Sequence, residues 1–530
     1  MTLNLKPVDE NVVAFMDLGT NSVRLLLVRL YPNHSYATLT QQKEVIRLGE
    51  GEFADQYLQP EAMDRAVLVC SKFAGLSRSY GAKEIVAVAT SAVRDAKNRK
   101  DFLRRLRHEA GIDMRVISGR EEARLIYLGI ASAVHLGDKQ AAFIDIGGGS
   151  TEIIAGDQQQ YQFLGSLNLG AVRLTTMFFL PEETAAVLPE RYALLQRFIR
   201  NASVRTLQEM KKHRIDHAFG SSGTVENLTD IAARALHNRP RQRDDTLTHD
   251  DLKQVIDMLC ARTLEERRNI PGINPERADI IIAGAAILDT LMQDLKIKQV
   301  RVISEHGLRE GMLVDYLSRG EHAELFKGTS VRERSVLQLG RACGFDEAHA
   351  RHIAQLALEM FDSSKKIGLH ALGDRERELL EYSALLHDIG SFLSYNNHHL
   401  HTSYLIRNAE LLGFDEAEIS MMAVTSLFHR KGMPTKKNEE YAALDKPSRQ
   451  TVRMLSTFLR IAEGLDRSHN GVITHAKLRA LDKTKVRLEV QAKGDCQLEL
   501  WGVEDRLKAF EKVFDREVEV KLKDSSERKK

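Results

Sequence analysis

Two stretches of this 530-residue chain are nearly one stretch. Residues 14–27 read AFMDLGTNSVRLLL and residues 142–155 read AFIDIGGGSTEIIA. Laid over each other, Ala14, Phe15, Asp17, Gly19 and Ser22 match Ala142, Phe143, Asp145, Gly147 and Ser150. Each is a buried-strand pattern that ends in an acid, turns through small residues and returns as a second apolar strand. The repeat is one of whole domains, with this hairpin as its landmark, so the first part of the chain must fold twice in the same way.

The segments around the two hairpins fit that constraint. After VVAFMDLG and SVRLLLVRL, YATLTQQKEVIRL predicts a third strand. An amphipathic helix follows over about 60–80, then the strand EIVAVAT, a helix over about 98–110, the strand MRVISG and the helix opening REEARLIYLGIASAV. From Gln140 the order restarts, with YQFLGSLNLG as third strand and later strand-and-turn segments HAFGSSGT and VRVISEHGLREG. PERADIIIAGAAILDTLMQDL (275–295) predicts a buried helix begun by proline. From about 325 to 469 helical periodicity dominates, interrupted by the lysine-rich loop HRKGMPTKKNEE (429–440). The last 60 residues return to alternation in ITHAKLRAL, KVRLEVQA, CQLELWG and REVEVKL, with a helix around EDRLKAFEKVF. The expected organisation is an α/β lobe at 1–135, a second at 136–320, a helical domain at 321–469 and a small α+β cap at 470–530.

The glycines of DIGGGSTE let backbone approach a ligand closely and turn N–H groups into one anion-binding concavity. Asp145 at the strand end and Glu152 on the return face the same cleft. Two carboxylates beside a phosphate cradle call for a hard cation, and Mg²⁺ is the oxygen-seeking choice. The first copy repeats the cradle with Asn21 and Ser22 and offers Asp17 as a further metal-side acid. Paired cradles predict a phosphoryl chain gripped between two lobes.

This arrangement resembles the actin-like (ribonuclease H-like) ATPase fold. With ISGREEARLIYLG (117–129), SAVRDAKN (91–98), FGSSGTVEN (219–227) and SEHGLREGML (304–313), it resembles the exopolyphosphatase and guanosine pentaphosphate phosphohydrolase family over about 12–315. The resemblance implies that Glu122, the second acid of EEAR, is the base that activates the attacking water. It implies Mg²⁺ binding by Asp145 and Glu152. Phosphate contacts are implied for Arg94, for the Gly147-Gly148-Gly149-Ser150 cradle and for the Ser222-Gly223-Thr224 turn. It also implies a homodimer. The expected reaction is release of terminal orthophosphate from inorganic polyphosphate. The alternatives are 5′-phosphate removal from guanosine pentaphosphate, and a phosphate- or nucleotide-sensing regulator that binds but hardly turns over. The sequence contains no GxxxxGK[ST] loop and no GxSxG elbow.

In the helical region, His352, His387-Asp388 and Asp466 resemble the spaced metal set of the HD phosphohydrolase superfamily, and His398, His399, His401 and His429 are further ligand candidates. Imidazole with carboxylate suits a transition metal better than Mg²⁺. With 76 basic against 74 acidic residues, net charge attracts no polyanion, so a long substrate needs a local track. Arg430, Lys431, Lys436 and Lys437 are the candidates. Four scattered cysteines without a CxxC pair, and no apolar run near bilayer length, predict a soluble cytoplasmic protein with no nucleic-acid or membrane partner.

Overall fold

The computed structural model describes residues 11–33, 35–180, 182–243, 245–304, 306–319, 330–409, 411–430 and 432–523. Contacts divide the chain into two compact units, one spanning residues 1–32 and 36–327, the other 33–35 and 328–530.

The first unit contains the duplication. Strands β1 (Asn11–Leu18), β2 (Ser22–Leu30), β3 (Tyr36–Val45), β4 (Ala82–Ala89) and β5 (Arg115–Val116) form a sheet of order β3-β2-β1-β4-β5. Strands β6 (Ala141–Ile146), β7 (Thr151–Gly156), β8 (Tyr161–Leu167), β9 (His217–Ser221), β10 (Thr246–Thr248) and β11 (Gln299–Val302) form the second, of order β10-β11-β9-β6-β7-β8. Read from β8, the second sheet repeats the first and adds the short antiparallel edge strand β10, which alternation in the sequence did not reveal. Each lobe therefore has an antiparallel hairpin at its centre and parallel strands beyond, as expected of actin-like lobes. β1 and β6 are apolar along nearly their whole length because both faces of each sheet are covered.

Two helices bring the lobes' cores together. The helix Gly119–Ala131 and the helix Leu308–Arg319 cross so closely that a Cβ on Gly311 would stand 1.8 Å from the Leu125 carbonyl oxygen. A Cβ on Gly129 would stand 2.1 Å from the Gly307 carbonyl. Glycine is required at this crossing by backbone approach. The helix Ile281–Leu295 is buried on almost every side, as expected, and follows a single 3₁₀ turn at Pro275–Arg277.

The second unit is helical from Val331 to Leu465 and ends in a three-stranded sheet of β12 (Ile473–Ala480), β13 (Lys485–Ala492) and β14 (Glu517–Lys523). One core runs through both parts: Phe361, Leu386 and Phe458 pack in the same cluster as Leu478, Leu488 and Phe510. CQLELWG, expected as a strand, is a helix, Gln497–Phe514. Its alternation is short, and the segment is pinned against the helix Lys446–Leu465, where Gly502 meets Gly464 within 3.0 Å of a built Cβ. The expected boundary at 320/321 lies outside the described residues.

Candidate active site

The two hairpin turns are built alike. Gly19 N–H donates to the Ser22 carbonyl at 3.0 Å, and Gly147 N–H to the Ser150 carbonyl at 2.9 Å. Strand register then places one residue opposite each acid. Asp17 pairs with Arg24 across β1 and β2, and Asp145 pairs with Glu152 across β6 and β7. A cavity of about 330 Å³ opens between the turns. Asp17, Asn21, Ser22, Gly147, Gly148, Gly149, Ser150, Ser222 and Gly223 line it, as does Asp145. Cradle meets cradle directly, since a Cβ on Gly149 would lie 2.6 Å from Thr20 Oγ1.

Glu122 reaches this cavity from the first turn of its helix. Ser118 caps that helix by accepting from Glu121 N–H at 3.1 Å. The neighbouring acids then part. Glu121 pairs with Arg124 at 2.9 Å, and that hydrogen bond holds its carboxyl below the usual range. Glu122 is buried and accepts from Arg94 Nη1 at 2.9 Å. Burial pushes its pKa up to about 7; Arg94 opposes the shift, while Asp17 and Asp145 add to it.

The other cleft acids share this condition. Burial raises Asp17 to about 6, against the pull of Arg24 and Arg309. It raises Asp145 too, although Ser221 Oγ donates to Asp145 Oδ2. Glu152 is raised by burial and by the charges of Glu122 and Asp145, and is held by Ser166 Oγ at 2.7 Å. Asp17 Oδ1 is buried without a hydrogen-bond partner. The cations crowd in the same way. Arg24, Lys43, Arg277 and Arg309 all line the cavity. Burial and the charges of Arg24 and Arg277 bring Lys43 down to about 8, and burial followed by Arg24 brings Arg277 to about 10.

Several expected residues stand behind the cavity wall. Arg94 turns to Glu122 and to the Ile117 carbonyl (3.2 Å), Glu152 lies under the hairpin, and Thr224 accepts from Arg277 Nη2 at 3.1 Å. Ser222 lines the cavity with φ of 75°, left-handed backbone that a non-glycine residue adopts at a cost, and its Oγ donates to the Ile146 carbonyl at 2.6 Å. Sequence reasoning missed Arg24, Lys43, Arg277, Arg309 and Arg173. Arg309 stood inside the GLREG motif and Arg24 two residues past the first cradle, where spacing alone could have found them. Arg173 ties the lobes beneath the cradle. Its Nε donates to the Gly149 carbonyl at 2.8 Å, and its Nη2 to Asp95 at 2.5 Å and to Ser91 Oγ at 3.1 Å.

In the second unit, the cluster of side chains that could hold an ion differs from the expected set. His387 and Asp388 do gather with a third residue, but that residue is His349, three positions before His352 on the helix Glu347–Lys366. His349 is buried and His352 half-buried, the latter's Nε2 buried without a hydrogen-bond partner. Asp466 lies outside that group and accepts from His349 Nδ1 at 2.8 Å. His398 and His429 join through Asp388; His399 and His401 do not. Arg430, Lys436 and Lys437 are exposed, with Arg430 over the Tyr395 ring at 5.4 Å, and Lys431 lies outside the described residues.

Among the described residues, no helix is long and apolar enough to cross a membrane. The model of the Ppx/GppA phosphatase family matches residues 28–320, and that of Ppx/GppA phosphatase domain III matches residues 331–506. An exopolyphosphatase from Cytophaga hutchinsonii is 26% identical with a TM-score of 0.55, the match covering 59% of this chain and 99% of that one. An exopolyphosphatase-like protein is 29% identical with a TM-score of 0.52, covering 58% and 98%. The Aquifex aeolicus member of the Ppx/GppA family is 27% identical with a TM-score of 0.49, covering 59% and 99%. With a duplicated actin-like fold, paired cradles and a buried glutamate between them, the chain belongs to the Ppx/GppA phosphatase family and is a phosphatase.

Proposed function

We propose that the protein is an exopolyphosphatase that releases terminal orthophosphate from inorganic polyphosphate. The observation that carries this reading is the double crowding of the cleft. Burial and the neighbouring Arg24 lower the proton affinity of Lys43 and Arg277, while burial first, and neighbouring carboxylates after it, raise that of Asp17, Glu122 and Glu152. Such a site is completed by an anion of high charge density together with a cation.

The acids fit a divalent ion: their donors are all oxygen, and Asp17 Oδ1 is a buried orphan. Asp145 and Asp17, which line the cavity, would hold Mg²⁺, with Glu152 behind them across the strand from Asp145. When bound, that ion supplies neutralisation of charge on the phosphoryl oxygens.

The chain's own residues do the rest. The backbone N–H groups around Gly147–Ser150 and Gly19–Ser22 grip the chain end from two sides, with Arg24, Lys43, Arg277 and Arg309 as counter-charges. Glu122 in its ionised form accepts a proton from water at Oε1 while Arg94 holds Oε2. The water oxygen forms a bond to the terminal phosphorus, the bridging P–O bond breaks, and the shortened chain leaves with the bonding pair. Arg94 thus acts through Glu122.

The test is phosphate release from polyphosphate and from guanosine pentaphosphate at matched concentrations. A kcat/KM at least tenfold higher for polyphosphate supports the proposal. The reverse preference replaces the substrate, and no release from either returns the cleft to a sensing role.

A further inference from the structure

The second unit holds a group of side chains that the cleft chemistry does not use. His349 comes from the helix Glu347–Lys366, and His387 and Asp388 follow the helix Asp374–Leu386. His398 opens the helix His398–Asn408, His429 follows the helix Glu416–Leu427, and Glu463 lies on the helix Lys446–Leu465.

Hydrogen bonding fixes the tautomer of each ring. Nδ1 of His387 donates to the Ala384 carbonyl at 2.7 Å, that of His429 to the Ser426 carbonyl at 2.6 Å, and that of His398 to the Tyr395 carbonyl at 3.0 Å. His349 Nδ1 donates to Asp466 at 2.8 Å. Carbonyl and carboxylate oxygens only accept, so Nε2 is the lone-pair nitrogen of each neutral ring. This is the tethering found around metal-bound imidazoles.

The four Nε2 atoms face carboxylate oxygens or one another. His387 Nε2 lies 3.2 Å from Glu463 Oε2 and 3.6 Å from Asp388 Oδ2, and His349 Nε2 lies 3.6 Å from Glu463 Oε2. On the other side, His398 Nε2 and His429 Nε2 lie 3.1 Å and 3.4 Å from Asp388 Oδ1, and 3.1 Å from each other. Lone pairs that meet at such distances repel unless a cation stands among them. Ligand atoms with bonds of about 2.1 Å to one ion sit roughly 3.0–3.4 Å apart, close to the spacing seen here. Moreover, Nε2 of His349 and of His387, Asp388 Oδ1 and Glu463 Oε2 are buried without a partner in hydrogen-bonding geometry.

We propose that this centre binds two transition-metal cations bridged by Asp388. One ion takes His349, His387, Glu463 and Asp388 Oδ2. Its neighbour takes His398, His429 and Asp388 Oδ1, and so keeps coordination positions open. Mixed imidazole and carboxylate donors select Mn²⁺, Fe²⁺ or Zn²⁺ over Mg²⁺. Asp466 is a positioning residue that orients His349. The rival occupant is protons alone, an imidazolium–carboxylate cluster without metal.

The experiment titrates chelator-stripped full-length protein with Co²⁺, counting bound metal by elemental analysis and reading nitrogen ligation from visible absorption. The unmodified chain should bind two more equivalents than Asp388→Asn, an isosteric change at a partly exposed residue. His398→Gln with His429→Gln should remove one. Asp145→Asn, in the cleft, should leave the difference of two unchanged. Equal counts in the unmodified chain and Asp388→Asn overturn the site, and a difference of one overturns the bridge. Should any variant fail to fold, Mn²⁺-loaded unmodified protein decides: a spin-coupled pair in its electron paramagnetic resonance supports two adjacent ions, and only isolated-ion signals overturn them.

Discussion

The two hairpins of the lobes share backbone, turn and acid, and differ at the position across the strand from that acid. In the first, Asp17 stands in register with Arg24; in the second, Asp145 stands in register with Glu152. Arg24 lowers the proton affinity of both Asp17 and Asp145 without overcoming their burial, whereas Glu152 is raised by burial and by the charges of Glu122 and Asp145. One hairpin therefore brings its own counter-charge and presents cationic character to a phosphate. The other sets two acids against each other, and a bound cation would favour their ionised forms. Two copies of one scaffold carry opposite charges at the same register position.

The largest expected effect comes from removing the group that both hairpins face. Glu122→Gln should lower kcat by roughly two to four orders of magnitude with polyphosphate binding kept within a few-fold. Undiminished turnover in that variant would remove Glu122 from the mechanism. Glu121→Gln, whose partner is Arg124, should be nearly silent by comparison.

The next prediction sets hairpin against hairpin. Asp145→Asn or Glu152→Gln should raise the Mg²⁺ concentration for half-maximal activity by about tenfold or more. Asp17→Asn should raise it by clearly less, because Asp17 faces a cation, Arg24, across its strand pair where Asp145 faces a second acid. Equal shifts from all three would mean that the hairpins hold the ion symmetrically. Arg24→Gln should act on the other half of the site. It should raise KM several-fold and flatten the salt dependence of binding, with little change in Mg²⁺ requirement.

The smallest effect is on stability. Asp17 and Glu122 have folded-state pKa values raised to about 6 and about 7. Their contribution is fully present below their unfolded values and is lost as pH rises through the folded ones, since the folded state binds the protons more tightly. Chelated protein should therefore melt at lower temperature at pH 8 than at pH 5, and Mg²⁺ should recover more of the loss at pH 8. A melting temperature that rises over that interval without metal would show that these acids ionise freely in the fold.

Much of the site was legible in the chain because it is local. The acid, the turn and the returning strand fall within about ten residues, so repetition alone exposed both cradles, and the helix start after Ser118 placed Glu122. His349 was not legible. It and His352 are three residues apart on one helix and so face nearly the same way, and only the packing of neighbouring helices decides which enters the core. For Arg94 the family resemblance implies a phosphate contact, while the fold presents it to Glu122.

The sequence by itself determined the duplication, the hairpins and the acids at their turns, since these follow from patterns of period two and from glycine's freedom at a tight turn. Tertiary structure decided which charges share a cavity. Register set Arg24 against Asp17 and Glu152 against Asp145, the glycine crossing of two helices brought Glu122 between the lobes, and burial then moved the proton affinities. Electrostatic energy depends on distance and dielectric in three dimensions, and residues as far apart as Asp17 and Asp145 acquire both only when the chain has folded.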